Sequence, residues 1–184
     1  MRAASKLAIV LGLAAAAAAA GAQERHRGRA EQGLERHFET VRRAFAEHGT
    51  IVDTAPDING ERTTRRFSLL RGSDPCRWIV LTDAEVTVRS ASAPHYRYTM
   101  EIDLRALDPG RIAAHPLRAW DWCCRRSAEV SFADAGGKQS ILTRHGESWS
   151  ISARGWLHFS DEAAAGRAAA ALADAVRACR RPGA

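Results

Sequence analysis

The sequence predicts an α+β domain built on a strongly bent antiparallel sheet of about six or seven strands, with an N-terminal amphipathic helix and a C-terminal capping helix. Two observations carry this prediction. Apolar residues recur with the 3.6-residue period of a helix near both ends of the chain, and turn-separated segments with the two-residue period of a strand fill the middle. The length of 184 residues suits a single domain, which we expect over residues 31–182.

The first 22 residues have the three-part pattern of a signal peptide. Two cations precede an apolar run over residues 7–20, and Ala20-Gly21-Ala22 supplies the small residues that signal peptidase requires. We expect cleavage before Gln23, export to the periplasm or out of the cell, and no integral membrane span afterwards, because the run is short and mostly alanine. Residues 23–30 are polar and aperiodic, which predicts a flexible arm.

The first helix is predicted over residues 31–48, with Gly49 as its stop. Apolar residues at spacings of four, three and four form one face of this helix. They are Leu34, Phe38, Val41 and Phe45. Residues 50–62 hold several turn residues and are predicted as a connection rather than a strand.

The strand-like segments that follow share a two-residue period or an enrichment in strand formers. They cover residues 65–71, 76–81, 85–89, 96–104, 128–132, 139–143 and 148–159. The segment over residues 96–104 alternates most regularly, and it predicts a core-facing row that runs from Tyr96 to Leu104. The spacing of the turns predicts hairpins in an antiparallel meander.

The last predicted helix begins after Ser160, which is expected to be its N-cap, and ends at Pro182-Gly183. Asp161 and Glu162 lie in its first turn, where the helix dipole favours negative charge. Its apolar stripe consists of Ala165, Ala169, Leu172, Val176 and Cys179.

This order of elements resembles that of pleckstrin-homology-like barrels. The phrases MEIDLRALDPGRI (residues 100–112) and LHFSDEAAAGRAAAALADAVRAC (residues 157–179) resemble small bacterial domains of this kind, most of which have no assigned activity. The resemblance implies a sheet that closes on itself with the last helix plugging one end. The lipid-headgroup site of the eukaryotic relatives is not implied, because its basic loop has no residue-by-residue match. The structural alternative is an open sheet with a helix packed on one face.

Four cysteines in an exported chain predict up to two disulfides: Cys76, Cys123, Cys124 and Cys179. Because neighbouring residues of an extended chain point to opposite faces, Cys123 and Cys124 are not expected to pair with each other. We expect one of them to pair with Cys76 and the other with Cys179. A redox pair or a metal site is disfavoured, since adjacent cysteines lack the spacing of either motif.

No catalytic signature is present, and we expect no enzymatic activity, metal or cofactor. The seven histidines form no HExxH motif, and the chain has no nucleophile elbow, P-loop or dinucleotide-binding motif. A catalytic site assembled in space from distant residues stays open as the alternative, because sequence alone does not exclude one.

Charge gives a weak indication of the partner. Removing residues 1–22 removes Arg2 and Lys6 and no acid, which lowers the net charge from +6 to +4 and disfavours nucleic acid. Arginine doublets recur at residues 42–43, 65–66, 125–126 and 180–181. The candidate contact surface consists of Trp120, Trp122, Arg125 and Arg126.

The leading hypothesis is a small, exported, non-enzymatic binding or envelope-associated domain whose ligand is unknown, with an envelope protein or an anionic polymer as candidate partner. The alternatives are an enzyme with a spatially assembled site and a binder of anions or anionic lipid that uses the arginine doublets. An exposed strand edge, or a shallow and largely apolar groove near Trp120 and Trp122, would favour a binding domain, whereas a deep pocket of titratable groups would favour an enzyme.

Overall fold

A computed structural model describes residues 31–54, 62–87, 95–116, 127–137 and 139–181, together with Gly28. The predicted signal peptide and, apart from Gly28, the predicted arm lie outside the described residues. The architecture is α+β, with one helix before and one after two antiparallel sheets, which confirms the predicted class and the placement of both helices. Among the described residues, neither helix combines the length and the apolar character that a membrane crossing requires.

In the part of the chain that the structure describes, nine strands form the two sheets, where about six or seven were expected. The six-stranded sheet has the order β1-β2-β3-β4-β7-β8, and the three-stranded sheet has the order β5-β6-β9. The strands are β1 (Thr50–Thr54), β2 (Arg62–Arg71), β3 (Arg77–Thr87), β4 (His95–Asp103), β5 (Ala113–Pro116), β6 (Ala128–Ala133), β7 (Ile141–His145), β8 (Ser148–Ser152) and β9 (Arg154–Phe159). Short 3₁₀ helices cover Leu104–Ala106 and Pro109–Arg111.

Within the described residues, the sheets do not close into one barrel. The predicted barrel is therefore wrong, and the predicted bent antiparallel sheet is confirmed. Two strands were missed. Residues 50–54 were expected to be a connection but pair with β2 along their whole length, and β5 lies in a stretch with no clear period. Residues 148–159, expected to be one strand, divide at Ala153 into β8 and β9, which belong to different sheets.

Helix α1 (residues 31–48) packs its apolar stripe against both sheets. The Phe38 ring lies edge-on to Trp78 of β3, with centroids 5.6 Å apart, and the Phe45 ring stacks on Phe159 of β9 at 4.8 Å. Gly49 ends the helix as predicted. A Cβ at this position would lie 2.4 Å from the carbonyl oxygen of Phe45, so only glycine fits.

Helix α2 (Glu162–Cys179) packs on the three-stranded sheet, and all five residues of its predicted stripe are buried. Its N-cap is Asp161 rather than Ser160. The carboxylate of Asp161 accepts the backbone N–H of Ala164 at 2.7 Å. The hydroxyl and the N–H of Ser160 instead donate to the carbonyl oxygen of His48, which ties the start of α2 to the end of α1.

Candidate functional site

The six-stranded sheet has an inner face that packs on α1 and an outer face that no described element covers. Residues that are paired on neighbouring strands lie on the same face of a sheet, and the register therefore identifies the residues of each face. The inner face contributes buried side chains to the core, which are Leu69, Trp78, Val80, Ile102 and Ile141.

The outer face carries an apolar band, defined here as two neighbouring rows that cross the sheet. The first row follows the register from β2 to β8 and consists of Leu70, Ile79, Glu101, Leu142 and Ile151. The second row consists of Ser68, Leu81, Thr99, Arg144 and Trp149. Six of these ten side chains are apolar, and they form two groups, on β2–β3 and on β7–β8, that are separated by Glu101 and Thr99 of β4.

Exposure of large apolar side chains concentrates on this face. Five such side chains are exposed in the described part of the chain, and four of them lie on the outer face: Val52, Leu70, Trp149 and Ile151. Trp149 exposes 67% of its surface, Leu70 48% and Ile151 45%. The fifth, Trp156, lies on β9 of the other sheet and is 48% exposed. Clustered exposed apolar residues mark interaction surfaces, whereas isolated ones are ordinary.

Ion pairs border the apolar band on both sides. On one side, Arg97 donates to Asp83 at 2.9 Å. On the other side, Arg105 donates to Asp74 at 3.0 Å, and this hydrogen bond is the main reason why the pKa of the Asp74 carboxyl lies below its ordinary value. Apolar side chains with charged groups around them are the usual anatomy of a protein–protein interface.

A shallow groove of about 400 Å³ crosses the band between β4 and β7. Leu142 lies on its apolar side, and the charged groups that line it are Arg77, Glu101, Asp103 and Arg144. Arg77 is paired with Glu101 at 3.3 Å. Arg144 makes no ion pair with any described residue, and its cation is therefore available to an acidic group from outside.

Strand β8 (Ser-Trp-Ser-Ile-Ser) forms one edge of the six-stranded sheet. It pairs with β7 through a two-residue turn that begins at Gly146, whose φ of 56° suits the first central position of a type II′ turn. No described residue pairs with the other side of the strand. Edge strands usually carry protective charges or proline, and β8 has neither.

The predicted cysteine pairing is wrong. The sulfur atoms of Cys76 and Cys179 lie 2.06 Å apart, which is a disulfide bond, so neither residue pairs with Cys123 or Cys124. The bond joins the turn before β3 to the last residue of α2, and both cysteines are buried. Cys123 and Cys124 lie outside the described residues.

The predicted contact surface, formed by Trp120, Trp122, Arg125 and Arg126, also lies outside the described residues. The three described arginine doublets are spread over α1, β2 and the end of α2. Arg42 is held by Glu39 at 2.7 Å, and Arg65 and Arg66 are neighbours on a strand and therefore point to opposite faces. These doublets do not build one anion site.

Histidines of the described chain are found in separate local contacts rather than in one cluster. His145 stacks on Tyr98 with ring centroids 4.5 Å apart, and His115 is 3.1 Å from the Ser131 hydroxyl. No histidine lines the groove, and within the described ranges no three His, Cys, Asp or Glu side chains gather as a metal site would require.

The residues of the apolar band were not predicted as a site. The signal for them lies in Trp78-Ile79-Val80-Leu81, four consecutive apolar residues, which place apolar side chains on both faces of β3. Among the described elements, only the inner face is covered.

No protein-family model, curated protein or solved structure matches this chain. The resemblance to pleckstrin-homology-like domains therefore stays a prediction, and a function has to be argued from the surface itself.

Proposed function

We propose that this chain is an exported, non-enzymatic binding domain that receives a protein partner on the outer face of its six-stranded sheet. The observation that carries the proposal is the apolar band, on which Leu70, Trp149 and Ile151 are exposed although they belong to a regular sheet. Removing such a surface from water is the main favourable contribution to protein association.

The chemistry of the partner follows from the charges around the band. Most of the surrounding carboxylates already have arginine partners, as Glu101 has Arg77. Arg144 has none among the described residues and lies in the row beside Trp149. A partner that presents apolar side chains to the band and a carboxylate to Arg144 would satisfy both features.

Export is part of the proposal, and two features support it. The first is the signal-peptide pattern of residues 1–22. The second is the Cys76–Cys179 disulfide, because such bonds persist in oxidising compartments and are rare in the cytosol. Mass spectrometry of the purified chain tests export directly, and an N-terminus at Gln23 is the expected result.

Site-specific photo-crosslinking in intact cells tests the binding surface. A photoreactive residue replaces Leu142 in the groove, and we expect an adduct with a different protein. A second substitution, Ile79→Lys, places a charge in the middle of the band and is expected to reduce the adduct at least about tenfold, as a loss of 1.4 kcal/mol of binding free energy would. The control is Trp156→Lys, which changes an exposed apolar residue on the other sheet and is expected to leave the adduct unchanged.

Circular dichroism and thermal unfolding establish that each variant is folded. Two results would overturn the proposal. One is an adduct that survives Ile79→Lys in a folded chain, because the band then contributes nothing to binding. The other is an adduct that contains only two copies of this chain, because the partner is then not a different protein.

A further inference from the structure

We infer that two copies of this chain associate through β8, whose free edges pair antiparallel about a two-fold axis at Ser150. The pairing would extend the six-stranded sheet into a continuous twelve-stranded one. It uses the backbone edge of β8 together with the side chains of Trp149 and Ile151, which also belong to the apolar band, and it goes beyond the proposed partner site because it needs no other protein.

The backbone of β8 has the right groups on its free side. In a hairpin with a two-residue turn, the residues that flank the turn bond each other, and bonded positions then alternate along the strand. Ser148, Ser150 and Ser152 therefore direct their N–H and C=O groups towards β7. Trp149 and Ile151 direct theirs away from the sheet, where no described residue accepts or donates.

The register that uses these free groups is self-complementary. In this register Ser150 of one copy lies opposite Ser150 of the other. Trp149 then lies opposite Ile151 of the second copy and exchanges two hydrogen bonds with it. The two-fold symmetry produces a second, equivalent pair. An aromatic residue opposite a β-branched one is a favourable cross-strand pair. On the other face of the sheet, each serine of one copy lies opposite a serine of the second copy. No apolar side chain therefore lies opposite a charged one.

The charges at the ends of the strand also fit this arrangement. Glu147 immediately precedes β8, and Arg154 lies two residues after Ser152, the last residue of β8. Both residues are exposed, and neither makes an ion pair with a described residue. Antiparallel pairing places the end of one strand that Glu147 precedes beside the end of the other strand that leads to Arg154, whereas parallel pairing would place like charges at the same end.

A second copy fits this edge better than an unrelated extended peptide. The strand itself carries no charge, so two copies meet without repulsion, and its flanking charges are opposite in sign and related by the symmetry. The interface is five residues long, and we therefore expect a weak dimer whose population rises with concentration.

Cysteine crosslinking tests the pairing and its register. In a full chain that carries Cys123→Ser and Cys124→Ser, the substitution Ser150→Cys places two sulfurs in directly opposed positions, with Cα atoms about 4.5 Å apart, within reach of a disulfide. The matched control is Ser148→Cys on the same face. Its two copies lie four positions out of register, beyond the reach of a disulfide. We expect Ser150→Cys to give dimers at least about tenfold faster than Ser148→Cys under mild oxidation.

Sedimentation measurements provide a second test in the chain without added cysteines. A reversible monomer–dimer equilibrium is expected, and Trp149→Lys with Ile151→Lys is expected to abolish it, because lysine then faces lysine across both pairs. Trp149→Glu with Ile151→Lys removes the same apolar groups but places opposite charges across each pair, and it is expected to retain dimer at low salt.

A chain that stays monomeric at roughly 0.5 mM would overturn the inference, since its dissociation constant would then be millimolar or weaker. Equal crosslinking of Ser150→Cys and Ser148→Cys would also overturn it. Neither result bears on the proposed partner, whose adduct at Leu142 is scored by its sensitivity to Ile79→Lys.

Discussion

Removal of the Cys76–Cys179 disulfide offers the most quantitative test of the fold. The bond closes a loop with a sequence separation of 103 residues, which contains most of the domain. In the chain-entropy description, a loop of that length restricts the unfolded chain enough to stabilise the native state by about 4.7 kcal/mol. Since typical domains are stable by only about 5–15 kcal/mol, this one bond accounts for a large part of the total.

The perturbation is Cys76→Ala with Cys179→Ala in a chain that carries Cys123→Ser and Cys124→Ser, so that only one disulfide is compared. Both native cysteines are buried, and alanine fits the space that each leaves. We expect the unfolding free energy to fall by about 3–5 kcal/mol. The melting temperature is expected to fall by about 6–20 °C, at the 2–4 °C per kcal/mol typical of domains of this size.

Denaturant titration with and without reductant is the assay. The parent is expected to lose the same stability on reduction, whereas the alanine variant is expected to be insensitive to reductant. A variant within about 1 kcal/mol of the oxidised parent would refute the reasoning, because closing a loop of this length would then not restrict the unfolded chain as the entropy argument requires.

Three further predictions concern single side chains. Gly155→Ala is expected to cost roughly 1–3 kcal/mol of unfolding free energy, because its Cβ would lie 2.4 Å from the ring of the buried Phe132. Asp161→Ala is expected to cost about 1 kcal/mol, because it removes the N-cap of α2; denaturant titration measures both. Asp74→Asn is expected to be less stable than the parent above about pH 5, and this difference is expected to shrink as the pH falls below about 4. The sign follows from the lowered pKa of the Asp74 carboxyl, whose contribution is present above the unfolded-state pKa and is lost as the pH falls through the folded-state value. Unfolding free energies measured from pH 2 to pH 7 test it.

Each of these three predictions has a matched comparison. Gly166→Ala lies in α2 with open space around the new Cβ and is not expected to destabilise the chain. Ser160→Ala removes the hydroxyl of the residue next to the cap. If this variant lowered stability by the amount expected for a lost N-cap while Asp161→Ala did not, the cap assignment would be wrong. Arg105→Gln removes the main cause of the lowered pKa of Asp74 and is expected to weaken the pH dependence; a pH-independent difference for Asp74→Asn contradicts that cause.

The helices could be predicted from the sequence because their cause is local. The stripe from Leu34 to Phe45 and the glycine after it specify α1 without reference to the rest of the chain. The N-cap of α2 could not be chosen in the same way, because Ser160 and Asp161 are both good caps. A distant group decides between them, since the carbonyl oxygen of His48 engages the serine.

The sheets were harder to predict because strand partners are distant. Nothing in the alternation of residues 148–159 marks the division at Ala153. There, the carbonyl oxygen of Ala153 accepts the backbone N–H of Asp134, and the chain passes from one sheet to the other. The same limit applies to the disulfide, whose pairing depends on where α2 ends in space rather than on the spacing of the cysteines.

The candidate site was missed for a related reason. Alternation in β8 separates Trp149 and Ile151 from three serines, and this pattern ordinarily places the apolar side chains in the core. In the fold they lie on the outer face, and only the sheet order reveals it.

The position of the disulfide has a consequence for how the chain matures. A chain that emerges from its amino end exposes Cys76 first, then Cys123 and Cys124, and Cys179 only near its end. The first thiols that Cys76 meets are therefore the wrong ones, and its native partner arrives only after almost the whole domain has emerged. Correct oxidation has to wait for the last helix to form or to reverse an earlier bond by thiol exchange, a step that takes seconds to hours unless an isomerase assists it. The yield of this protein is thus expected to depend on disulfide isomerisation rather than on oxidising power alone.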